Sequence, residues 1–237
     1  VCDRNFKKEN HFLKQVEKLC KKNNIVFVLD EMITGFRWHL KGAQHFYGVK
    51  PDISTFGKAM ANGFSVSAIC GKKKIMELGS ITNTKQERVF LLSTTHGAEM
   101  NGLSAFIETV RFLKKNRVIK HNWDYGSKLI KESNRISERI GIQDYFSFAG
   151  IACSPFFTCL DNNKKNSLEF RTLFIQEMLK HGILMPWISI AFRHSDSSLK
   201  KTLIALEKTL YIYKKAFEFI NTVFGNIKLY IFIYIFN

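Results

Sequence analysis

The stretch Ile25-Val26-Phe27-Val28-Leu29-Asp30 decides the fold. Its apolar and β-branched residues run without a polar break and end in an acid, the pattern of a strand buried on both faces. Upstream, residues 11–22 place Phe12, Leu13, Val16, Leu19 and Cys20 at helical spacing, with lysines at 14, 18, 21 and 22 on the other side. That periodicity predicts a surface helix, and Asn23-Asn24 supplies the turn that ends it. Helix, tight turn and buried strand in succession form the repeat unit of a parallel α/β sheet, in which ligands gather at the carboxyl ends of the strands. Asp30 occupies such an end.

Working outward, Pro51 to Lys58 reads as a second short strand leading into a turn. Ser65 to Cys70 reads as a third strand, Arg88 to Ser93 as a fourth, and Ala98 to Lys115 as a helix. Beyond residue 116 the rhythm changes to a helix over Trp123–Ile140, two short strands at 145–152 and 155–160, and a helix from Ser167 to His181. A strand at Ile183–Ile190 then precedes a last helix striped by Leu199, Leu203, Leu206, Leu210 and Phe217. Three segments are therefore expected: residues 1–115 in one α/β domain, 116–218 in a smaller α+β domain, and 219–237 as an atypical apolar tail. The uninterrupted Leu229–Phe236 run of that tail is aggregation-prone unless covered, and a shifted or extended reading frame would produce it.

The 237 residues are 46% hydrophobic and 24% charged, with 14 Gly and 3 Pro, a globular composition rather than a collagen-like or disordered one. Five cysteines (2, 20, 70, 153 and 159) form an odd set without a CxxC pair, so free thiols in a reducing, cytoplasmic setting are expected. Leu229–Phe236 falls well short of the roughly 20 residues of a spanning helix, and no membrane partner is expected. The net charge of +16 raises a nucleic-acid partner, yet the lysine pairs and triplets are spread along the whole chain. Solvated faces explain that spacing, and no nucleic-acid footprint is expected.

GxGxxG, GxxxxGK[ST], GxSxG and HExxH are all missing, which removes the usual support for dinucleotide, nucleotide, hydrolase and zinc-protease readings. What stands out is an acid and a lysine, Asp30 and Lys58, at two strand ends. An N-cap or a surface ion pair would account for such an acid, and one lysine among so many carries little weight. Converging at one sheet edge, the two make the pair that pyridoxal phosphate needs: a lysine to bind it covalently and an acid facing its pyridinium nitrogen. The lysine, once displaced, is also the base that moves the substrate's Cα proton.

At these residues a family resemblance becomes visible. Val28-Leu29-Asp30-Glu31-Met32-Ile33-Thr34-Gly35-Phe36-Arg37, Gly42-Ala43-Gln44, Tyr47-Gly48-Val49-Lys50-Pro51-Asp52 and Thr55-Phe56-Gly57-Lys58-Ala59-Met60-Ala61-Asn62-Gly63 resemble the class III aminotransferases. Among them, the glutamate-1-semialdehyde 2,1-aminomutases are the most similar. The likeness continues through Leu92–Glu99 and, more weakly, Gly182–Trp187 and His194–Asp196, covering about residues 10–218. It implies an α/β, fold-type-I large domain, its mostly parallel sheet flanked by helices, followed by a small C-terminal α+β domain. It also implies pyridoxal 5'-phosphate as cofactor, a small-molecule amino or carbonyl substrate, and a homodimer that shares its site.

Position by position, the resemblance implies that Lys58 is the catalytic residue forming the internal aldimine and that Asp30 pairs with the pyridine nitrogen. Met32 matches a side chain packed against the ring, with ordinary core as its other reading. Thr95 matches the threonine that hydrogen-bonds the cofactor phosphate, Thr94 being the alternative one register away. Arg37 is either a contact for a substrate carboxylate or a structural residue, and His96, Glu99 and Trp187 receive no role. Family members carry a long N-terminal portion with a phosphate-cradling loop and a stacking aromatic. No counterpart is found here, so the chain is expected to be a fragment.

Overall fold

The computed structural model describes residues 11–82, 87–89, 97 and 99–224. The chain divides into two compact units, Val1–Lys120 and His121–Asn237.

In the first unit, helix α1 (Phe12–Lys22) starts at His11, whose ring accepts a hydrogen bond from the Lys14 amide. Strand β1 (Val28–Asp30) lies parallel to β2 (Ile53–Phe56), and β2 lies antiparallel to β3 (Ala68–Gly71). The sheet order is β1-β2-β3. Asp52 ties the amino-terminal edge together: Oδ2 accepts from the Phe27 amide at 2.7 Å, and Oδ1 meets Lys72 Nζ at 2.6 Å. Short helices α2 (Ala43–Tyr47) and α3 (Lys73–Met76) flank the strands, and α4 (Met100–Lys115) follows.

Two expectations need correction here. The first strand is shorter than predicted and is not buried on both faces, since Ile25, Val26 and Val28 are each more than half exposed while Phe27 is buried. Side chains alternate between the two faces of the strand, and the face that carries Val28 and Asp30 is exposed while Phe27 and Leu29 lie on the more covered one. The third strand, for which the sequence gives no direction, runs antiparallel to β2. The connection from Phe56 to Ala68 holds only a short 3-10 turn at Lys58–Met60, and a parallel return needs a crossover of a dozen residues or more. Of the predicted fourth strand, Val89 and Arg88 are irregular and residues 90–93 lie outside the described residues.

In the second unit, α5 (Val118–Ile140) leads to the hairpin β4 (Phe146–Ile151) and β5 (Ser154–Cys159), then α6 (Leu168–Lys180) and α7 (Asp196–Phe224). Alternation in the hairpin turns Phe146, Phe148 and Phe157 inward against Phe170, Phe174, Met178, Leu206, Leu210 and Tyr213. Asn134 on α5 clamps β4 by donating to the Phe148 carbonyl at 2.9 Å and accepting its amide at 2.7 Å. Ser167 caps α6, its hydroxyl accepting from the Phe170 amide.

The predicted strand at Ile183–Ile190 is irregular instead. Pro186 has no amide to give a ladder, and its carbonyl is taken by the Arg171 guanidinium at 2.6 Å. Helix α7 continues through Phe224, into the first residues of the segment 219–237 read as an apolar tail. Residues 225–237 lie outside the described residues. Among the described residues no helix is long and apolar enough to cross a membrane.

Candidate active site

Parallel register sets Asp30 opposite Thr55, at the carboxyl edge shared by β1 and β2. The chain leaves β2 at Phe56, passes the buried, extended Gly57 and reaches Lys58 three residues beyond Thr55. Both Asp30 and Lys58 are exposed. Asp30 Oδ1 accepts two hydrogen bonds, from the Met32 amide at 2.9 Å and from Thr55 Oγ1 at 3.0 Å. Neither bond falls on Oδ2, which has no hydrogen-bond donor among the described residues. The Met32 amide, the Thr55 hydroxyl and the Lys58 charge hold the Asp30 carboxyl below the ordinary range, so it is ionised at neutral pH.

Lys58 has φ +46°, in the left-handed region that a residue with a Cβ rarely adopts. Its strain coincides with the position that sequence reading assigned the chemistry. Met32 is half-buried and lies over Gly57: a Cβ there would come within 2.9 Å of Met32 Sδ. Met32 packs on the strand-to-turn junction next to Lys58.

Sequence reasoning gave Glu31 no role, yet it is fully buried at the start of the loop after β1. Its Oε2 accepts from Thr34 Oγ1 at 2.5 Å and from the Ala43 amide at 2.7 Å, and its Oε1 accepts from the Gln44 amide at 2.8 Å. The carboxyl group thereby caps α2 from the far side of the loop. Gly42 makes room for it with φ 77° and ψ 174°, a conformation essentially confined to glycine. A Cβ there would also lie 2.8 Å from Glu31 Oε2. Phe36 completes the anchoring, its ring edge-on to both Phe56 and Phe106 at 5.8 Å. Arg37 is half-buried in the same loop. The signal that could have found Glu31 and Thr55 was adjacency: an acid beside the site acid, and a hydroxyl in register with it.

Thr94, Thr95 and His96 lie outside the described residues. Trp187 belongs to the second unit and is 73% exposed. The His194–Asp196 motif opens α7, where the Ser195 amide donates to Ser198 Oγ at 2.8 Å and the Ser198 amide returns a bond to Ser195 Oγ at 3.3 Å. That is a helix start, a structural role.

An ionised acid with one oxygen open, beside an exposed amine that has no hydrogen-bond or ion-pair partner among the described residues, can receive a cationic ring N–H and a carbonyl carbon respectively. Comparison with known proteins shows the family to which the chain belongs. Residues 5–188 match the family described as "Aminotransferase class-III". A 3-aminobutyryl-CoA aminotransferase of Cloacimonas acidaminovorans (strain Evry) is 31% identical over 207 residues, 86% of this chain and 48% of that protein. A glutamate-1-semialdehyde 2,1-aminomutase of Nitrosopumilus maritimus (strain SCM1) is 32% identical over 215 residues, 85% of this chain and 49% of that protein. The solved FumI protein of Sphingopyxis sp. MTA144, in its PLP internal aldimine form, superposes with TM-score 0.74 at 22% identity, covering 87% of this chain and 48% of that one. That likeness gives the fold, which is the fold-type-I transaminase fold. The chain spans about half the length of the curated relatives it matches.

Proposed function

For a chain that belongs to the class III aminotransferases, we propose a pyridoxal-phosphate-dependent transfer of an amino group, with Lys58 and Asp30 carrying the chemistry. The observation behind this reading is the meeting of an ionised acid and an exposed amine, without a hydrogen-bond or ion-pair partner among the described residues, at the carboxyl edge of two parallel strands. The residues fit the cofactor. Asp30 Oδ2 is free to accept the pyridinium N–H, the Lys58 amine is free for covalent attachment, and Ala59 and Gly63 leave the following turn small.

When bound, pyridoxal phosphate supplies an electron sink conjugated with the substrate's nitrogen. The Asp30 negative charge keeps the ring nitrogen protonated, which strengthens that sink. Lys58 Nζ would hold the cofactor and, once released from it, would take the proton from the substrate's Cα and deliver it to the carbon on the other side of the reacting nitrogen. Met32 covers one side of the junction and limits water there. Thr95 is proposed to hold the phosphate, and a homodimer in the cytoplasm belongs to the same reading.

For the substrate we favour the intramolecular case, glutamate-1-semialdehyde to 5-aminolevulinate, on the 32% identity to a protein of that name. The second reading is transfer between separate donor and acceptor, favoured by the 31% identity to an aminotransferase of a CoA ester. The test incubates the full chain with pyridoxal phosphate and glutamate-1-semialdehyde, alone and with an added amino donor. Product without a donor supports the aminomutase, and donor-dependent product supports the second reading. Activity that survives Lys58→Ala would remove the site assignment from both.

A further inference from the structure

We propose that Thr55 is the positioning residue of this site: its hydroxyl fixes Asp30 by one oxygen, keeping the carboxylate charged and its other oxygen available to a cationic ring. The inference deepens the aminotransferase reading and rests on it for the identity of the ring. Its basis is the strand register. Paired residues of neighbouring strands point to the same face, so Asp30↔Thr55 pairing delivers Thr55 Oγ1 to Asp30 Oδ1 at 3.0 Å. The Met32 amide reaches the same oxygen at 2.9 Å. Two donors converging on Oδ1 from different chain segments fix the side-chain torsions, which a single backbone contact two residues away would not.

Thr55 also serves the neighbouring acid, because its backbone carbonyl accepts the Glu31 amide at 2.9 Å. One residue of β2 therefore anchors both members of the Asp30-Glu31 pair, one through its side chain and one through its backbone. Only the first of these is removed by Thr55→Val, which keeps the branched shape and the strand preference. Among the described residues the charged group that acts on Asp30 is Lys58, and its attraction works in the same direction as the two hydrogen bonds.

The experiment compares the full chain with Thr55→Val and Thr55→Ser, following the Asp30 carboxyl by carbon NMR through an acid titration, and measuring pyridoxal phosphate binding by absorbance. Expected is an upward move of the Asp30 titration in Thr55→Val, restoration in Thr55→Ser, and cofactor binding roughly tenfold weaker in the valine variant, the size of one hydrogen bond to a charged group. An Asp30 titration unmoved by Thr55→Val in a folded chain overturns the proposal. If the titration moves as expected and the unaltered chain takes up no cofactor, the positioning by Thr55 stands and the aminotransferase reading falls.

Discussion

Lys58 combines an exposed amine with a backbone conformation that costs on the order of 1–2 kcal/mol for a residue with a Cβ. Replacing it therefore separates chemistry from strain. Lys58→Ala and Lys58→Gly are both expected to lose cofactor attachment, while Lys58→Gly melts higher than Lys58→Ala by about 1 kcal/mol in a denaturant titration. Equal stability of the two variants would remove strain from the description of this turn. Glu31 gives the opposite case, a side chain whose chemistry is all structural. Glu31→Ala leaves the Ala43 and Gln44 amides without their acceptor in a buried loop, at about 1–3 kcal/mol each. Gly42→Ala adds a Cβ in a glycine-only conformation against the same carboxyl group and is expected to cost a comparable amount. Chemical unfolding of both variants checks this.

At the level of elements, the amino-terminal edge of the small sheet depends on Asp52, whose carboxyl is held below its usual range by the Lys72 ammonium and the Phe27 amide. A carboxyl with a lowered folded pKa contributes stability above its unfolded value, about 3.9, and loses it as pH falls through the folded value. Thermal melting between pH 6 and pH 2 should therefore show a decline on the acid side, and Asp52→Asn should flatten it. In the second unit, Phe146 and Phe174 are 1% and 0% exposed, and their rings lie 4.8 Å apart. Phe146→Ala is expected to destabilise by about 3–5 kcal/mol. These elements also show what the sequence made legible. Helical spacing and strand alternation gave α4, α5, the β4–β5 hairpin and α6 to within a few residues, because each carries a full period of apolar residues against a core. The order acid, then lysine, at two strand ends exposed the candidate site. Direction and partnership were not legible: nothing in Ser65–Cys70 states that it returns antiparallel, and nothing in Ile183–Ile190 states that no ladder receives it. Val28 faces solvent for the same reason, since an apolar run specifies what it would bury and not whether a neighbour is there to bury it. Glu31 escaped notice because its partners, the amides of Ala43 and Gln44, carry no side-chain signal.

For the molecule as a whole, 36 Lys and Arg against 20 Asp and Glu give a net charge of +16 that is spread along the chain. Some of these cations are paired with acids, as in Lys128–Asp196 and Arg139–Glu207. Retention on a polyanion column is expected at low salt and not at physiological salt, as a spread charge predicts and a clustered nucleic-acid site does not. The proposed chemistry rests instead on a few residues of the first unit, with Asp30 and Lys58 held on one sheet edge by Thr55, Gly57 and Glu31. The most direct measurement adds pyridoxal phosphate to the full chain, reduces with borohydride and maps the modified peptide by mass spectrometry, with Lys58→Ala as control. Modification confined to Lys58, and lost in the variant, is the predicted result. Modification scattered over surface lysines, or unchanged by Lys58→Ala, would contradict the assignment of Lys58 as the residue that binds the cofactor.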